Sequence, residues 1–263
     1  MAIDGHEVVG VPVFMDNYSW IVPLSGSKAA VVDPGDAVPV IEALRERGLD
    51  LEAVLLTHHH PDHIAGTMEL VNAFSPGDGG SSRPAIIGAE IDRERLPPLD
   101  RAVDDGARLF FGETRCEVLA VPGHTRGHLA FVIDQALFAG DALFSFGCGR
   151  MFEGDAPTMW ASLQKLAALP DDMLLFSGHE YTEANLRFAR HLSPDDEALR
   201  AEQARVAALR AEGAPTLPSS LCDEKRYNPF LRCADPEFQR DQGHPGDPVA
   251  LFAALRAAKD NFA

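Results

Sequence analysis

Four histidines fall within six positions, in Thr57-His58-His59-His60-Pro61-Asp62-His63, directly after the apolar run Ala53-Val54-Leu55-Leu56. Strand ends are where α/β proteins place their chemistry, and imidazoles and carboxylates are costly to gather there unless a cation neutralises them. In an extended segment alternate side chains share a face, so His58 and His60 are expected to point one way and His59 another. A polar loop whose histidines hydrogen-bond at the surface is the plain alternative. It loses ground because three more candidates sit in comparable places: His124 in Val121-Pro122-Gly123-His124, Asp141 in Phe138-Ala139-Gly140-Asp141, and His179 in Phe176-Ser177-Gly178-His179. Each follows an apolar run and a glycine that lets the backbone turn. Five histidines and two aspartates exceed what one four-coordinate metal can use, which favours two metals sharing a bridge.

The rest of the chain reads as short β-rich runs alternating with helical patterns. Strands are expected at 7–14, 18–22, 28–33, 53–57, near 85–88, and at 115–121, 128–133, 136–139 and 173–176. Helices are expected from Val38 to Gly48, after His63, from Thr158 to Ala168 and over 183–191. The Gly-, Pro- and Ser-rich stretch 75–84 reads as a surface loop. Beyond Gly178 the strand signals stop. Ser193-Pro194-Asp195-Asp196 looks like a helix start with Ser193 as N-cap, Gly213 ends that helix, and a loop to about Asp247 precedes a final helix. These patterns predict an α/β body over 1–180 and a helical part over 181–263.

Charge narrows the partners. With 40 acidic and 23 basic residues the formal charge is −17, which offers no footprint for a phosphate backbone or an anionic membrane. No signal peptide and no apolar window of about 18 residues is found, so a soluble, cytoplasmic protein is expected. Cys116, Cys148, Cys222 and Cys233 are scattered without a CxxC pair and are expected to be free thiols.

The motif His58-x-His60-x-Asp62-His63, followed by His124, Asp141 and His179, resembles the full metal set of the metallo-β-lactamase superfamily, whose fold is an αββα sandwich. Carried over residue by residue, the resemblance implies that His58, His60 and His124 hold one metal and Asp62, His63 and His179 the other. Asp141 would bridge them. The class B β-lactamases usually lack that bridging aspartate, and the chain is more similar to glyoxalase II, the hydroxyacylglutathione hydrolases. The likeness runs through Asp16-Asn17-Tyr18, Thr57-His58-His59-His60, Gly178-His179-Glu180-Tyr181-Thr182, Asn228-Pro229-Phe230-Leu231-Arg232 and Arg256-x-x-Lys259-Asp260-x-Phe262.

That resemblance implies a glutathione-binding C-terminal extension, with substrate contacts at Arg150, Phe152, Tyr181, Arg256 and Lys259. Arg150 stands where lysine is usual, which keeps charge and changes geometry. Phe152 replaces a usual tyrosine and loses one hydroxyl. The implied reaction is hydrolysis of S-D-lactoylglutathione to D-lactate and glutathione, a step in methylglyoxal detoxification, by hydroxide shared between two divalent metals. Asp62 and Asp141 are the residues expected to act in catalysis. Zinc is expected, with iron and manganese open, since the ligand types accept all three. A monomer is expected. Two other readings stay open on this scaffold: a single-iron persulfide dioxygenase, and a broader thioesterase or lactonase.

Overall fold

A computed structural model describes residues 2–3, 6–75 and 83–262. Most of the expected 75–84 loop lies outside the described residues. The chain divides into two compact units, Met1–Ala120 with Arg126–Gly140, and Val121–Thr125 with Asp141–Ala263.

The first unit opens with a short antiparallel pair, β1 (Ala2–Ile3) and β2 (His6–Glu7). A sheet follows in spatial order β3 (Val9–Val13), β4 (Asn17–Pro23), β5 (Lys28–Val32), β6 (Asp50–Leu55), β7 (Ala85–Ala89) and β8 (Arg101–Val103). The first three strands pair antiparallel and the pairs from β5 to β8 are parallel. Parallel neighbours need crossovers, and α1 (Ala37–Glu46) supplies the one between β5 and β6. Asp36 caps α1 by accepting from the Val38 N–H, and Gly48, at φ +63°, follows its end. Ala37, Val40, Ile41 and Leu44 of α1 and Leu70 and Val71 of α3 (Thr67–Ala73) pack on alternate sheet residues, among them Ile21, Val31, Val54 and Ile86. Every residue of β4 is buried, so that strand is covered on both faces.

Four further strands, β9 (Arg108–Phe111), β10 (Thr114–Ala120), β11 (Leu129–Ile133) and β12 (Ala136–Gly140), form an antiparallel meander. β8 and β9 were not among the expected strands. The first is three residues long and the second carries the exposed Phe110, so neither shows a clear alternation. The helix expected after His63 is two pieces, α2 (Pro61–Ile64) and α3. Ala65 and Gly66 separate them, and position 66 needs glycine because a Cβ there would lie 2.5 Å from the Ala37 nitrogen.

The second unit contains the short pair β13 (Leu143–Phe144) and β14 (Gly147–Cys148), then α4 (Ala156–Ala167), and β15 (Leu174–Ser177), which pairs with β16 (Ser219–Ser220). Helices α5 (Thr182–Leu192) and α6 (Glu197–Ala211) meet through Leu186, Ala189, Leu199 and Val206. The N-cap of α6 is Asp196, which accepts from the Ala198 and Leu199 N–H groups, and not Ser193. Ser193 instead closes α5, and its hydroxyl accepts from Arg232. The segment expected as loop up to Asp247 holds α7 (Leu221–Tyr227) and α8 (Pro236–Asp241), both too short to display a helical period. The last helix, α9 (Pro248–Asp260), is capped by Asp247 and held by Phe252, whose ring lies 5.9 Å from Phe230 and 6.2 Å from Trp160. All four cysteines are free, and Cys222 alone among them is exposed.

Candidate functional site

The histidine-rich turn leaves β6 beside a buried carboxylate that sequence reasoning did not single out. Asp33 ends β5 in the left-handed region, at φ +50°. Non-glycine residues hold that conformation at some cost, and aspartate tolerates it better than most. Its Oδ1 accepts from the Thr57 N–H at 2.8 Å, and its Oδ2 accepts from the Thr57 hydroxyl at 2.6 Å and from His63 Nδ1 at 3.0 Å. The only sequence signal was the Asp33-Pro34-Gly35 turn.

These bonds settle the histidine tautomers, because a carboxylate can only accept. His63 carries its proton on Nδ1, leaving an Nε2 lone pair 3.5 Å from Asp62 Oδ2. The Thr57 hydroxyl proton goes to Asp33, so its oxygen accepts from His58 Nδ1 at 3.0 Å. That leaves the His58 Nε2 lone pair 3.0 Å from His60 Nδ1. Asp62 is oriented by the Asn17 amide, which donates to the same Oδ2 at 2.8 Å. One donor atom from each of Asp33, His58 and His63 lies within 4.8 Å of the others. Asp33 nevertheless already accepts three hydrogen bonds, so it orients rather than ligates. His59 aims its ring nitrogens elsewhere, its Nδ1 lying 3.3 Å from the buried Asp92 and its Nε2 accepting from Arg95 at 3.2 Å, while its ring stays 5.0 Å from that of His60.

The second unit repeats the pattern. His124 Nδ1 donates to the Arg150 carbonyl at 2.8 Å, so its Nε2 lone pair faces Asp141 Oδ2 at 3.4 Å. His179 Nε2 lies 3.4 Å from the same oxygen. Gly149 passes against this group, where a Cβ would meet the Asp141 backbone carbonyl and lie 3.0 Å from His124 Nδ1. In neutral tautomers, nitrogen lone pairs facing carboxylate oxygens repel. A divalent cation turns the same atoms into ligands, and the donor set of both units fits such ions.

Beside His124 and Asp141 lies a cavity of about 400 Å³ that also takes in Phe144, Cys148, Arg150, Phe152, Tyr181, Arg256, Lys259 and Asp260. All five expected substrate contacts therefore line one cavity of this unit. Tyr181 stacks on His179 at 4.7 Å with 5° between planes, while Phe152 is 63% exposed, its ring 5.2 Å from His124. Arg256 is buried, donates to the Cys148 carbonyl at 2.7 Å and stands 5.0 Å over the Phe230 ring, and its Nε has no partner among the described residues. Burial, and after it the guanidiniums of Arg256, Arg187 and Arg150, hold the Lys259 ammonium below the ordinary lysine range. Positive groups therefore outnumber the one carboxylate beside them, Asp260, and such a cavity favours an anionic ligand. Burial pushes the Cys148 thiol up to about 11, which keeps it unreactive. Glu180 accepts from the Thr216 N–H at 2.9 Å and holds structure rather than substrate.

Fold and donor set together define a metallo-β-lactamase-like body, and residues 11–179 match the model of the metallo-β-lactamase superfamily. A solved structure described as the BLEG-1 B3 metallo-β-lactamase shares this fold, with a TM-score of 0.65 at 22% identity, covering 86% of this chain and 99% of that one. Residues 180–262 match the model described as the hydroxyacylglutathione hydrolase C-terminus. Hydroxyacylglutathione hydrolases from Ruegeria pomeroyi and Methylococcus capsulatus are each 48% identical over 260 residues, covering 97% of this chain and 99% and 98% of theirs. The chain belongs to the hydroxyacylglutathione hydrolase family. Its His and Asp clusters accordingly serve divalent metals.

Proposed function

We propose that this chain hydrolyses S-D-lactoylglutathione and related S-2-hydroxyacylglutathiones to the hydroxy acid and glutathione. The observation that carries the reading is the cationic cavity beside His124 and Asp141, where Arg256 keeps a buried, unpartnered Nε. It lies in the unit that contains the stretch matching the hydroxyacylglutathione hydrolase C-terminus. In this reading His58, His60 and His124 hold one metal, Asp62, His63 and His179 a second, and Asp141 serves both. Bound there, two zinc ions would supply a water acidified toward neutrality and a positive charge for the developing oxyanion.

The chain's own residues do the rest. Asp33 and Thr57 hold His58 and His63 with Nε2 presented, and the Arg150 carbonyl does the same for His124. Asn17 fixes the carboxylate of Asp62. Arg150, Arg256 and Lys259 attract the substrate's carboxylates against a −17 background, while Tyr181 and Phe152 wall the cavity. A cysteine-type thiol, with pKa about 8.5, departs as thiolate without a dedicated acid.

The metal-binding role is assigned to 1–180 and the substrate-binding role to 181–263, with Arg150 and Phe152 adding substrate contacts from before that boundary. The acidic composition supports a cytoplasmic protein without nucleic-acid partners, and among the described residues no helix is long and apolar enough to cross a membrane. We take the active species to be the monomer. The test is thiol release from S-D-lactoylglutathione and from other thioesters, on protein whose metals have been counted. Glutathione thioesters should be turned over and a thioester without the peptide should not. Asp141→Ala should lose metal and hydrolysis together, and a variant keeping both would sink the bridging role.

A further inference from the structure

The cationic cavity contains one carboxylate that an anion-binding site does not need. Asp260, at the end of α9, lines the cavity together with Arg150, Arg256 and Lys259. Its Oδ1 accepts from Arg256 Nη2 at 3.0 Å and lies 3.3 Å from Arg150 Nε. The Asp260 side chain is 39% exposed, so water or a ligand reaches it. A site built only to hold carboxylates would be stronger without it, since a negative group among three cations cancels part of their attraction.

The signs on the two sides are complementary when the whole ligand is considered, with one cation in excess. Asp260 and the three cations make a field of three positive groups and one negative group. A γ-glutamyl tripeptide thioester offers groups of the opposite signs: two carboxylates and one free α-ammonium, the latter beside the γ-glutamyl carboxylate. An ammonium next to a carboxylate is bound best where a carboxylate sits next to a guanidinium, and Asp260 with Arg150 and Arg256 is that arrangement. We infer that Asp260 is a specificity-determining residue that reads the free α-ammonium of the γ-glutamyl end and so selects unblocked γ-glutamyl thioesters over N-blocked or purely anionic ones. This rests on the glutathione-thioester reading above.

The experiment compares three substrates on metal-loaded enzyme: S-D-lactoylglutathione, its N-acetyl derivative, and the S-D-lactoyl thioester of cysteinylglycine. For the wild-type chain, N-acetylation should lower kcat/KM by about tenfold or more, the usual scale for losing one charged contact. In Asp260→Asn the two glutathione substrates should become nearly equal, because the unblocked one falls to the level of the blocked one. Asp260→Glu should restore part of the difference. Equal losses for both substrates in Asp260→Asn, with their ratio kept, would overturn the inference and leave Asp260 as a residue that only positions Arg150 and Arg256. Equal turnover of both by the wild-type chain would overturn it as well. Failure of the underlying reading looks different, since the wild-type chain would then hydrolyse none of the three. If Asp260→Asn does not fold, the wild-type and Asp260→Glu ratios still decide, because a longer side chain should alter the preference and not merely the rate.

Discussion

Asp33 performs three tasks with one side chain: it closes the β5 turn, accepts from Thr57 and sets the tautomer of His63. Asp33→Ala should therefore lower metal affinity about 10–100-fold, the range found when a group orienting a ligand histidine is removed, as read by competitive metal titration. Affinity within twofold of wild type would show that the histidines hold their tautomers unaided. Glu224 is a second buried carboxylate, accepting from Phe146 N–H, Ser219, Asn228 and Ser145, and it ties the β13–β14 hairpin to α7. Burial pushes its carboxyl from the ordinary 4.5 up to about 7. The folded chain thus keeps this proton to higher pH than the unfolded chain, so its contribution to stability is complete below about 4.5 and is lost as pH rises through about 7. The swing is up to about 3 kcal/mol. Glu224→Gln should flatten that part of the profile of urea midpoint against pH, and an unchanged slope would assign the dependence to other groups.

At the level of elements, the start of α6 separates propensity from context. Ser193-Pro194 has the composition of a helix start, yet the Ser193 N–H completes α5 by bonding to the Ala189 carbonyl, and the N-cap of the next helix lies three residues later, at Asp196. Asp196→Ala should cost about 1 kcal/mol in thermal or urea unfolding, the usual worth of an N-cap, and Ser193→Ala clearly less. The reverse order would return the cap to Ser193. The strands bearing the site were readable because β5, β11, β12 and the Ala53–Leu55 end of β6 are almost wholly apolar and buried. β8, β9, α7 and α8 were not, since short or half-exposed elements take their structure from neighbours rather than from their own period.

Over the whole molecule, a net charge of −17 opposes an anionic substrate at long range while three cations in one cavity attract it at contact. Salt separates these effects, because the screening length shrinks from about 30 Å at 0.01 M to about 8 Å at 0.15 M. Distant repulsion is screened before contact attraction, so kcat/KM for S-D-lactoylglutathione should rise about twofold over that range. A fall would mean that the local cations already govern approach. The amino-acid order alone determined the metal-ligand candidates and the strand-end positions that carry them, because ligand chemistry and hydrophobic period are local properties of the chain, and the class of reaction followed from the family resemblance those motifs carry. Only the tertiary structure decided what sets the histidine tautomers, which helix cap is used, and that Asp260 shares a cavity with the cations. Those depend on groups far apart in sequence, such as Asp33 with His63 or Arg150 with Asp260, and packing alone brings such pairs within hydrogen-bond reach.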